Sequence, residues 1–354
     1  VTTNTQHKAF PDWLLGVSFA ASWTWAAAML VGIGILSEAG IIPFFVWFTA
    51  NIAAIPFFGW VSRRWPALWD QTRRLPMRAL MSLMLLFTIW FNMTGVLTAA
   101  EDTGWFPWLQ HGELVALPIL TLGLVWLATY AGGIRWSVVS DRVQWAFELG
   151  AVVLMLALVI YEHGGLTIRP DLKWGSYTDL RGWILGLWTV PLLLSNPFLD
   201  GTFWHRAAYA KDMRPYWWGF GMFAVYLTCV AGIAFMGLTP LATGVLFAAI
   251  FFASFSTLDS CTAGLQLTAG RNLGNALGIL GGFAWLFVAP LGLLDLWTAL
   301  FVWYPFLFAI QIATYILQRR GAIAPPPPDT LAARDALPLI EDAQIVTAEA
   351  VVSQ

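Results

Sequence analysis

Long apolar runs alternate along this chain with short polar, basic or glycine- and proline-marked segments. Runs of about 20 apolar residues are long enough to cross a bilayer. Ten segments qualify: 13–36, 40–60, 78–100, 114–131, 137–161, 182–199, 216–238, 240–262, 275–293 and 296–317. Backbone polar groups in lipid must be satisfied within their own segment, so each predicts an α-helix. The expected class is therefore an all-α, polytopic membrane protein with residues 1–320 as its core.

Several of these runs carry polar positions, which are costly in lipid and mark pathways. In "FFASFSTLDSCTAG" (251–264), Ala253, Ser256, Thr257 and Ser260 recur at i, i+3, i+4 and i+7 and share one helix face. Adjacent hydroxyls suit a hard cation, which takes several oxygen ligands. Ser and Thr in apolar helices also bond back to their own i−4 carbonyls, so the hydroxyls alone leave both readings open. Asp259 lies off that face by about 100–200° from its neighbours, nearer the cytoplasmic end, where water would solvate it.

In "GGIRWSVVSDRVQWAFELG" (132–150), Asp141, Gln144 and Glu148 share a face. Asp141 reads as interfacial, whereas Glu148 lies about two turns deeper and must be paired, protonated or beside a wet cavity. The first run holds small residues beside Trp23-Thr24-Trp25. They suit either a close helix seam or a locally opened helix. In the sixth run Pro197 removes a donor and disfavours helix at Asn196, predicting a break there.

Composition sharpens the class: 59% of the 354 residues are hydrophobic and 11% charged, with a mean hydropathy of +0.70. The 22 Trp suit membrane interfaces. A net charge of −2 gives no pull toward nucleic acid. Two cysteines and four scattered histidines offer no disulfide framework or zinc spacing. No nucleophile–base pair, metal spacing or phosphate loop suggests an enzyme, and no organic cofactor is implied.

Charge also orients the chain. With both termini cytoplasmic, fifteen of the 18 Lys and Arg fall inside, and only Arg169, Lys173 and Arg181 outside. The N-terminus lacks a signal-peptide pattern and begins with Val, which fits a mature or an incomplete chain. Residues 321–354 open on four prolines and turn acidic, the signature of a disordered cytoplasmic tail.

Together these stretches resemble the sodium/solute symporter family. "AGGIRWSVVSDRVQ" (131–144) is similar to its fifth-core-helix signature, and "ASFSTLDS" (253–260) to its eighth-core-helix motif. "LDGTFWHRAAYAKD" (199–212) resembles the segment after its sixth core helix, with Gly201 and His205 where Gln is usual. "ASWTWAAAML" (21–30) is nearest to the branch containing fungal and plant urea symporters. The likeness extends over nearly all of 8–320. Most members carry extra helices before and after the core, and this sequence shows neither.

The resemblance implies a five-plus-five inverted repeat of ten helices, as in the amino-acid transporter LeuT, with ligands at mid-membrane beside broken first and sixth helices. It implies a sodium site at Ala21, Thr24, Ala253, Ser256 and Thr257, with Asp141 used as sodium leaves. Glu148 joins Asp141 as a candidate for cation release or a proton path. Position and polarity then point to Trp23, Trp25, Asn92, Ser195 and Asn196 for the solute.

The expected function is sodium-coupled symport of a small polar solute, urea among the candidates, across the cell membrane. Two alternatives stay open: a proton-coupled or passive urea-type permease, and a non-transporting sensor on the same fold. The partners are the solute and membrane lipid. The solute's identity and the oligomeric state stay open.

Overall fold

The computed structural model describes residues 10–24, 26–65, 68, 72, 74–175, 189–291 and 304–320. The tail 321–354, Trp25 and parts of the sixth, ninth and tenth expected spans lie outside the described residues. Every regular element among the described residues is helical.

Two short helices open the chain, α1 (Asp12–Trp23) and α2 (Ala26–Glu38), followed by α3 (Ile41–Arg64) and α4 (Leu75–Thr103). A single turn, α5 (His111–Leu114), leads into α6 (Ala116–Glu162). Beyond the next connection come α7 (Thr189–Leu199), α8 (Gly201–Ala207), α9 (Arg214–Met236), α10 (Pro240–Ala269), α11 (Arg271–Val288) with a 3-10 turn at Ala289–Leu291, and α12 (Tyr304–Arg319).

Among the described residues six stretches are long and apolar enough to cross a membrane: Ile41–Arg64, Leu75–Thr103, Gly112–Tyr130, Trp136–Glu162, Arg214–Met236 and Pro240–Ala269. Two of them lie largely in α6, whose 47 residues would reach about 70 Å if straight, over twice the thickness of a bilayer core. Large apolar side chains stand exposed along these stretches, among them Leu124, Leu127, Phe147, Leu154 and Val225. Such a surface suits lipid rather than water, and the chain is an integral membrane protein.

Two departures from the expected spans matter for function. The first run, taken as one span, is interrupted as the locally opened reading and the resemblance expect: α1 ends at Trp23, with Thr24 extended at φ −84°, ψ 90°, and α2 starts at Ala26. The break in the sixth run comes later than Pro197. Helix α7 carries Pro197 inside it and runs to Leu199. Asp200 ends the run because its carboxylate accepts a hydrogen bond from the Thr202 amide and so starts α8 anew.

Helix α10 is the hub, packed most extensively against α6 and α4, while α1 packs chiefly against α9. Small residues permit that last approach: a Cβ built on Gly16 would fall 2.3 Å from the Trp218 Cβ and 2.9 Å from the Gly219 amide nitrogen. After α6 the chain folds back over the ends of its neighbours. The Ile41 and Ile42 amides donate to the Lys173 and Trp174 carbonyls, and the Arg169 amide donates to Phe235.

Candidate cation site

The end of α1 is the starting point, because a helix C-terminus leaves carbonyls without intrahelical donors. At Thr24 both the amide and the hydroxyl donate to the Ala20 carbonyl, at 3.0 and 2.9 Å. The Thr24 carbonyl accepts instead from another helix: the Thr257 hydroxyl of α10 lies 3.1 Å away, and 3.0 Å from the Ala253 carbonyl of its own preceding turn. Thr24, Ala253 and Thr257 are therefore brought together, and Ala21 lies one turn back, its carbonyl 3.3 Å from the Thr24 amide. The helix-period face predicted for α10 is also buried as a unit, with Ala253, Ser256, Thr257 and Ser260 all about 1% exposed or less.

One turn toward the α10 C-terminus the chemistry changes. Ser256 lies 3.4 Å from Asp141 Oδ1. Asp141 Oδ2 takes the Ser18 hydroxyl of α1 and, at 3.0 Å, the Arg206 guanidinium of α8. Arg206 spends every nitrogen on this cluster. Nε donates to Ser18 at 2.6 Å, Nη1 to the Thr202 carbonyl at 3.2 Å, and Nη2 to Ser260 at 2.9 Å, Ser137 at 3.4 Å and Asp141. Ser22 closes the ring, 3.0 Å from the Ser260 hydroxyl. Both charged side chains are completely buried. The result is a fully bonded ion pair that joins α1, α6, α8 and α10.

This corrects three expectations. Asp141 is not interfacial but sealed inside, held by Arg206. Arg206, one of the fifteen basic residues assigned to the cytoplasmic segments, is a core side chain. Asp259 is not solvated: it is 1% exposed, and its Oδ2 accepts from Ser140 at 2.7 Å and Gln144 at 3.4 Å. The face at 100–200° from the hydroxyls is covered by α6, so helix period gave the angle correctly and the wrong surroundings.

The shared face of Asp141, Gln144 and Glu148 is buried as expected. Glu148 differs from Asp141 in having no hydrogen bond of ordinary length to either carboxylate oxygen. It faces the Thr24 side chain at the α1 break. The Tyr226 phenol of α9, close enough to feel its charge, also lacks a hydrogen-bond partner.

The expected solute residues sit on separate seams. Trp23 donates to the Asn51 carbonyl of α3 at 3.1 Å and packs edge-on to Phe203. Asn92 donates to Thr88 within α4, and its carbonyl accepts from Ser254 of α10 at 3.4 Å. Ser195 bonds back to Leu192 at 3.1 Å, and Asn196 is buried with its Oδ1 unpartnered. Trp25 lies outside the described residues. Among the described residues no group of three His, Cys, Asp or Glu is arranged to hold a metal ion.

No protein-family model and no curated protein matches the chain. A solved structure does: a Na+-coupled sialic acid symporter, whose substrate-bound outward-open state is described as revealing a novel Na+ site. The match spans 82% of this chain and 78% of that one, with a TM-score of 0.58 at 17% identity. At that identity the likeness is one of architecture, and the chain has the fold of that membrane symporter.

Proposed function

We propose that this protein is a sodium-coupled symporter that moves a small polar solute into the cell by alternating access. The observation that carries the proposal is the hydrogen bond from Thr257 to the Thr24 carbonyl at the break of the first helix. It joins two half-sites that the sequence separates by more than two hundred residues. In this reading sodium binds among the Ala21, Thr24 and Ala253 carbonyls and the Ser256 and Thr257 hydroxyls. Bound there, it ties α1 to α10 and favours the outward-open state.

The fold shared with a Na+-coupled symporter supports this reading. We assign the chain ten spans in a five-plus-five inverted repeat, with both termini cytoplasmic. The solute would lie near Trp23, Trp25, Asn92, Ser195 and Asn196. Sodium leaving past Asp141 must compete with Arg206 for that carboxylate, so opening of the ion pair belongs to the inward step.

The test is uptake of small polar solutes, urea included, into proteoliposomes under an inward sodium gradient, with choline replacing sodium at fixed pH. Uptake of at least one solute should fall to the leak rate in choline. Undiminished uptake in choline would sink the sodium reading. It would favour the proton-coupled or passive permease instead, for which the unpartnered Glu148 is the supporting observation.

A further inference from the structure

Glu148 lies in α6 with no exposed surface. Burying a carboxylate without a partner costs several kcal/mol by order of magnitude. Arg206 does not relieve it, because that guanidinium is spent on Asp141, Ser18, Ser137, Ser260 and Thr202. Among the described residues no basic side chain pairs with Glu148, and neither of its oxygens has a hydrogen bond of ordinary length, the Thr24 side chain standing close by as a weak donor. Three elements face it: α1 through Thr24, α9 through Tyr226, and its own helix, where Asp141 lies about two turns away. None supplies a positive charge to it.

The surroundings are polar but mismatched. The Tyr226 hydroxyl has no partner. The Thr24 hydroxyl is spent on the Ala20 carbonyl. What converges on the α1 break is therefore mostly oxygen acceptors: helix-end carbonyls, the α10 hydroxyls and an unpaired carboxylate. An oxygen-rich, anionic, enclosed site suits a small hard cation. Its single negative charge would be neutralised by one monovalent ion, and a divalent ion would leave a buried positive charge.

We propose that Glu148 is a direct, charged ligand of the cation bound at the α1 break. This rests on the sodium reading above and adds a third helix, α6, to a site otherwise built from α1 and α10. Sodium then completes the electrostatics of the helix bundle as well as bridging two helices.

The experiment is sodium chloride titration of the purified full chain in detergent, with choline chloride holding ionic strength constant, read as the thermal unfolding midpoint. The wild type should be stabilised saturably by sodium and not by choline. Glu148→Gln keeps the shape and removes the charge, and should raise the sodium half-saturation about tenfold or more, since affinity follows ligand charge. Without sodium its midpoint should match or exceed that of the wild type. Glu148→Asp, which keeps the charge, should retain a saturable sodium response. A Glu148→Gln protein with wild-type half-saturation would overturn the ligand role and leave the sodium reading standing, with water or a proton satisfying the carboxylate. A wild type that responds identically to sodium and choline would overturn the sodium reading itself.

Discussion

Asp141 and Glu148 sit seven positions apart on one face of α6, both carboxylates fully buried, yet their circumstances are opposite. Asp141 accepts from Ser18 and Arg206, with Ser256 at 3.4 Å, and is tied into four helices. Glu148 has no hydrogen bond of ordinary length and only the Thr24 side chain close by. The difference lies in what the neighbouring helices bring. α8 delivers a guanidinium to the first, while the broken end of α1 brings to the second only the Thr24 hydroxyl, which already donates to Ala20. A carboxylate matched within the protein holds the bundle together. A carboxylate left unmatched beside a helix break is where the proposal above puts the cation.

The comparison breaks most readily at Arg206. Arg206→Met leaves Asp141 buried and unpaired and should cost about 3–5 kcal/mol of stability, because removing one member of a buried pair strands the other. The check is the unfolding midpoint of detergent-purified protein. The Asp141→Asn/Arg206→Met double variant should recover much of the loss. A single variant as stable as the wild type would show that the pair does not hold the helices.

Glu148→Gln tests the other side of the contrast. In sodium-free buffer it should stabilise the protein by about 1–3 kcal/mol, the relief of an unsatisfied buried group. Stability read by denaturant titration in choline separates this gain from the loss caused by Asp141→Asn. Should both variants lose stability equally, the two carboxylates are alike and the contrast falls.

Thr257→Val refines the picture further. It removes the oxygen that joins α10 to the α1 break, and should cost about 1 kcal/mol of stability while raising the sodium half-saturation severalfold. Sodium titration of the variant beside its unfolding midpoint checks both halves. The smallest effect belongs to Thr88→Val: that hydroxyl bonds back to the Met84 carbonyl at 2.9 Å, and its loss should stay within about 0.5 kcal/mol with sodium response unchanged. Equal effects at Thr257 and Thr88 would reduce the former to ordinary back-bonding.

The buried hydroxyl face of α10 was legible in the sequence because helix period alone places Ser256, Thr257 and Ser260 together, and an apolar context makes such clustering costly. Glu148 was legible for the same reason, as a charge too deep to be solvated. Arg206 was not. Counting basic residues assigns it to a cytoplasmic loop, since it sits in a short segment too polar to span. Only the Asp200 cap, which starts a seven-residue helix, turns its side chain inward. Ser18 and Ser137 were missed with it, since a lone Ser in an apolar run carries no signal until its neighbour is known. The break at Pro197 was misplaced because proline only disfavours helix at the preceding residue, and here the capping carboxylate three positions later decided the matter.

The ion pair has a consequence for how the protein is made. Asp141 and Arg206 are 65 residues apart in sequence, and chains emerge from the N-terminus at roughly 5–20 residues per second. Asp141 is therefore synthesised several seconds ahead of its counter-charge, and Ser260, which anchors the same guanidinium, comes later still. Until that counter-charge arrives, burying the carboxylate between α1 and α6 costs several kcal/mol by order of magnitude. Closure of the bundle around Asp141 is therefore favoured only once α8 brings Arg206 to it.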